Sequence, residues 1–116
     1  MFIASIAVSV LLAFAVGFSG ANKLAKNETI MAGMEAVRVP RDRVWILGVL
    51  EIAAAIGLIA GIFWWPIGVA AAIGVILYFI GAIVAHLRVS DTKGLPMPAV
   101  LMLVGVAALV LRLLSI

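Results

Sequence analysis

Residues 44–62 read VWILGVLEIAAAIGLIAGI, an apolar run interrupted by a single acid, Glu51. At ~1.5 Å of rise per residue such a run is ~28 Å long as a helix, close to the ~30 Å thickness of a bilayer's hydrocarbon core. Glu51 then lies roughly 10 Å deeper than Val44, where an unpaired charge costs at least ~2.5 kcal/mol. An acid at that depth is a candidate functional group. The alternative is a protonated carboxyl that hydrogen-bonds a neighbouring helix and only fixes packing.

The rest of the chain has the same character. Of its 116 residues 67% are hydrophobic, and the mean hydropathy is +1.38, whereas a soluble domain is about half apolar. Membrane-length segments occupy residues 2–22, 44–63, 67–87 and 97–115. In lipid only a helix satisfies its backbone hydrogen bonds within one segment. The expected fold is therefore all-α: an integral membrane antiparallel bundle of four transmembrane helices, with residues 1–116 as a single domain. No Lys or Arg precedes Lys23, so the basic region of a signal peptide is missing and the first span is expected to be retained.

The formal net charge of +3 comes from eight basic residues and five acids. With four crossings, Lys23, Lys26, Arg38, Arg41, Arg43, Arg88 and Lys93 lie on one side and only Arg112 on the other. This is the positive-inside pattern. It points to the inner (plasma) membrane, with loops 23–43 and 88–96 cytoplasmic and both termini outside. Trp64 and Trp65 would mark the outer interface and Trp45 the inner one. The partner this charge implies is the lipid bilayer, not nucleic acid. Arg112 is expected to snorkel to the surface. The absence of cysteine and the single histidine, His86, exclude thiol-disulfide chemistry, a thiolate metal site and a His cluster, so no metal ligands are expected.

Polar residues recur in order along the chain. Ser5, Ser9, Ser19 and Lys23 fall within about 80° of one another on the first span, taking ~100° per residue. This stripe either faces the bundle interior or is made of serines bonded to their own helix. In the following connection Asn27 is a candidate N-cap, and Ile30, Met34 and Val37 repeat at helical spacing before Pro40. A short amphipathic interfacial helix over residues 28–38 is expected, as a float or as a lid over the bundle's cytoplasmic mouth. Asp42 is a candidate cap for the second span. Gly57 and Gly61 form a GxxxG pair that either packs on the third span or meets a second copy of the chain. Tyr78 lies near mid-membrane, as a packed core residue or a hydrogen-bonding group. His86 follows two turns on, with Arg88 and Asp91 as a local ion pair after it.

Lys23, Glu51 and His86 thus approach from three spans toward one inner half. An acid beside a lysine or histidine equips a site for proton transfer or for hydrogen-bonding a carbonyl or phenol ring. These three are the catalytic candidates. Ser19, Asn22, Tyr78, Arg88 and Asp91 are the ligand-binding candidates. The competing reading is a buried ion pair that only locks the bundle.

Several segments together resemble the DoxX-like family of small four-helix membrane proteins: Phe18-Ser19-Gly20-Ala21-Asn22-Lys23-Leu24, Glu51-Ile52 with Gly57-Leu58, Gly81-Ala82 with His86, Arg88 and Asp91, and Pro98-Ala99. The resemblance covers nearly the whole chain. It implies a redox context, since family members are associated with the small subunit of a thiosulfate:quinone oxidoreductase and with a membrane complex joining a sulfurtransferase to a superoxide dismutase. The expected function is binding of a hydrophobic small molecule, a quinone or a lipid-like compound, in an intramembrane polar pocket by a redox-associated subunit. A homo-oligomer and a soluble redox partner are the expected associations, and no cofactor other than quinone is implied. Two alternatives stand beside it. One is a stand-alone isomerase or epoxide- or ring-opening enzyme using Glu51 and His86 as acid and base. The other is a proton-coupled exporter of small molecules.

Overall fold

A computed structural model describes residues 2–90, 92, 93 and 95–115. Five α-helices follow in order: α1 Phe2–Leu24, α2 Glu28–Ala36, α3 Val44–Phe63, α4 Trp65–Arg88 and α5 Pro96–Leu114. Four of them, all but α2, are long and apolar enough to cross a membrane. They form an antiparallel ring in which α1 packs on α3, α3 on α4, α4 on α5, and α5 closes back on α1. The protein is an all-α bundle of membrane-spanning helices.

Helix boundaries follow local chemistry. α4 begins at Trp65, so Trp64 alone makes the corner and Pro66 sits in the first turn, where proline's missing N–H has no intrahelical partner to lose. Asn27 caps α2 as expected, its side chain accepting from the backbone N–H groups of Thr29 and Ile30 at 3.0 and 3.4 Å. α2 ends at Ala36, two residues before the sequence limit, and the chain turns through a left-handed Arg38 with φ 65°. Asp42 does not cap α3. It lies inside a 3-10 turn, Arg41–Arg43, that feeds directly into the helix.

Lipid tails are as apolar as leucine, so these helices are held by close packing and polar contacts more than by a hydrophobic drive. The buried core draws Leu12, Ala13 and Val16 from α1, Leu58 from α3, Ala72, Val75 and Phe79 from α4, and Ala108 from α5. Gly57 and Gly61 face α4: a Cβ on Gly57 would press on Ala71, and one on Gly61 would collide with the backbone of Gly68. The GxxxG pair therefore closes the α3–α4 hairpin within the chain.

Arg112 departs from expectation. It is buried instead of snorkelling, its Nε donating to the Gly61 carbonyl at 2.9 Å and its Nη1 to Ser115 Oγ at 3.0 Å. The reason is local. Gly61 lies in the last turn of α3, where carbonyls lack intrahelical partners, and a guanidinium within reach satisfies one and meets the negative end of the helix dipole.

Candidate functional site

The site begins with a backbone contact. A Cβ on Gly20 would lie 2.8 Å from the Gly48 carbonyl oxygen, and one on Gly48 would lie 2.9 Å from that of Gly20. α1 and α3 therefore touch as closely as backbones permit. Each glycine stands one turn from a charge, Lys23 on α1 and Glu51 on α3. This closeness lets Lys23 Nζ reach Glu51 Oε1 at 2.5 Å. The same ammonium donates to Ser19 Oγ, one turn back on α1, at 2.9 Å.

From α4, Tyr78 donates its hydroxyl hydrogen to the same Glu51 oxygen at 3.0 Å. One carboxylate oxygen thus ties three helices. Glu51 is 2% exposed and Lys23 6%. At such burial neither charge would be tolerated alone, and each offsets the other's desolvation. The second carboxylate oxygen, Oε2, is buried with no hydrogen-bond partner among the described residues. A buried acceptor without a partner costs about 1–3 kcal/mol.

Below Tyr78, toward the charged end, lies a cavity of about 300 Å³ bordered by Leu47, Tyr78, Ala82 and His86 and roofed by Met34, Val37 and Val39. Met31 and Val37 are each 3% exposed, so the connection between α1 and α3 is packed onto the bundle, with Val37 at the border of the cavity. His86 lines this cavity, and its Nδ1 lies 2.7 Å from the Ala82 carbonyl. A carbonyl only accepts, so Nδ1 carries the hydrogen there.

The expected convergence of Lys23, Glu51 and His86 is thus rearranged. Tyr78 takes the place beside Glu51, and His86 stands two turns, ~12 Å, along α4, sharing with it only the cavity. Ser19 belongs to the ionic cluster. Asn22 is half-buried at the end of α1, where its backbone carbonyl accepts from the Asn27 N–H. Arg88 is exposed at the end of α4 and lines none of the cavities described. Asp91 lies outside the described residues. The Gly20–Gly48 contact escaped the sequence reading, although its signal was present: a glycine one turn away from each of the two intramembrane charges.

The fold and this cluster define a multi-pass helical membrane protein with an ionic centre enclosed between its helices. Residues 7–108 match the DoxX-like family. The chain belongs to that family. Neither the curated proteins nor the solved structures give a match.

Proposed function

We propose that this protein binds the hydroxyl-bearing head of a hydrophobic small molecule, a quinol or a similar lipid-like compound, in the cavity between Tyr78 and His86. The observation that carries the reading is the direction of one hydrogen bond. Tyr78, which lines the cavity, gives its hydrogen to Glu51 Oε1, so its oxygen has only lone pairs left for a bound molecule. Such a group accepts from a phenol or alcohol and has nothing to donate to a bare carbonyl. At about 300 Å³ the cavity is at the lower limit of small-molecule sites, ~300–1,000 Å³, which suits one ring.

Lys23 and Glu51 act as orienters in this scheme. They hold the tyrosine hydroxyl in one direction, and they offer a path by which a proton leaving the ligand passes to the Tyr78 oxygen while the tyrosine's own proton moves to Glu51. Electrons would go to a companion protein, since the chain has no cysteine and one histidine, which makes it a binding subunit of a redox system. The charge asymmetry supports a reading in which the cavity opens toward the cytoplasm of a bacterial inner membrane and both termini lie outside.

Binding of 4-methylphenol and of its methyl ether to protein in lipid nanodiscs tests this. The phenol should bind about tenfold more tightly, the upper range for one hydrogen bond, and Tyr78→Phe should erase the difference. Equal binding of the two compounds to the parent protein would refute the proposal. Mass spectrometry of lipids extracted with the purified protein should then recover a hydroxyl-bearing compound with an apolar remainder.

A further inference from the structure

Resting on that reading of the cavity, we infer that the same ligand carries a single hydrocarbon tail, which lies in the α3–α4 seam beyond Tyr78, and that Gly81 and Gly74 set the room for head and tail. A second, larger space of about 630 Å³ occupies that seam, bordered among others by Leu50, Ala54, Gly57, Ala71, Gly74 and Tyr78. Tyr78 borders both spaces. They follow one another along the same pair of helices: α3 contributes Leu47 to the first and Leu50, Ala54 and Gly57 to the second, while α4 runs from His86 and Ala82 past Tyr78 to Gly74 and Ala71.

Among the described residues that border the larger space, Tyr78 alone has a polar group on its side chain. That space is therefore suited to hydrocarbon, with the one polar function of its occupant placed at the Tyr78 end. A molecule with its hydroxyl in the cavity and its tail in the groove matches this distribution, and one with a second polar group along its length does not.

The glycines supply an independent argument. Gly74 and Gly81 lie one turn to either side of Tyr78, and a Cβ added to either would meet nothing within 4 Å. In a helix interior glycine is less favourable than alanine. At Gly20, Gly48, Gly61 and Gly68 a close backbone offsets that cost. At Gly74 and Gly81 no protein atom does, and the space they leave belongs to the cavity and the groove themselves. Among the described glycines, the third of this kind, Gly33, is on the exposed part of α2.

Because a tail gains little by moving from lipid into an apolar groove, the groove selects by shape, and the test is steric. Two probes are compared in nanodiscs: 4-methylphenol, and a 4-alkylphenol with a long chain ending in a photoreactive diazirine. Gly74→Phe should weaken the long probe about tenfold, the effect of ~1.4 kcal/mol of overpacking, and leave 4-methylphenol within twofold. Gly81→Phe should weaken both. In the unmutated protein, whose folding is not in question, the diazirine should label Leu50, Ala54, Ala71 or Gly74.

The outcomes separate the two readings. Binding of both probes unchanged by Gly81→Phe would overturn the cavity as the head's site. Loss of both with Gly81→Phe, but no change of either with Gly74→Phe, would keep the cavity and overturn the tail's path. Label scattered over all lipid-facing helices, at bulk-lipid frequency, would also overturn the path.

Discussion

The two ends of the α3–α4 hairpin use the same small residues for opposite purposes. At the Trp64 corner Gly61 and Gly68 bring backbone onto backbone, and Arg112 reaches across from α5 to satisfy the Gly61 carbonyl. Toward the charged end Gly74 and Gly81 face empty space, Tyr78 is strung across the gap to Glu51, and a carboxylate oxygen is left open. A glycine in a membrane helix is thus legible only with its neighbour: one kind removes space between helices and the other preserves it. The closed end has its described polar groups answered by the protein. The open end does not: Glu51 Oε2 has no partner among the described residues.

Substitutions can break this contrast, beginning with the largest effect. Glu51→Leu strands the buried Lys23 ammonium and the Tyr78 hydroxyl and should cost about 3–5 kcal/mol of unfolding free energy, measured by steric trapping in bicelles. Adding Lys23→Met should restore most of that loss, because the stranded charge is gone. A double variant no more stable than the single one would mean that the pair is not what the acid supports.

At the closed end Gly61→Ala should cost about 1–3 kcal/mol by forcing α3 from α4, without changing phenol binding. Arg112→Met, which orphans the Gly61 carbonyl, should cost about 1 kcal/mol, again with no effect on phenol affinity. The smallest effect has the opposite sign. Gly81→Ala should raise stability by up to ~1 kcal/mol through helix propensity alone, read in the same unfolding assay. Equal destabilisation by Gly61→Ala and Gly81→Ala would abolish the distinction between the two ends.

The bundle was legible because hydropathy over some twenty residues leaves few alternatives in lipid. The inward stripe of α1 was legible as well: Ser5 is 2% and Ser9 5% exposed, in line with buried Lys23, as the 3.6-residue period requires. What stayed hidden depended on partners. The helical wheel places Tyr78 and His86 about 80° apart on α4 but is silent on which of them turns toward α3. Arg112 near a helix end is equally served by lipid headgroups or by a carbonyl, and the choice was made by the position of Gly61, far away in sequence. Asp42 had the right chemistry for a cap, but it lies inside the 3-10 turn, and Arg43 holds the cap position of α3.

The knot at Glu51 also bears on how the chain is made. Synthesis delivers α1, with Lys23 at its end, before α3 emerges carrying the acid. Lys23 precedes Glu51 along the chain, so the acid can enter the bilayer beside a counter-charge and not as a lone ion. Tyr78 comes last and fastens the third span to a junction already formed, which makes the order of the helices along the sequence a set of assembly instructions.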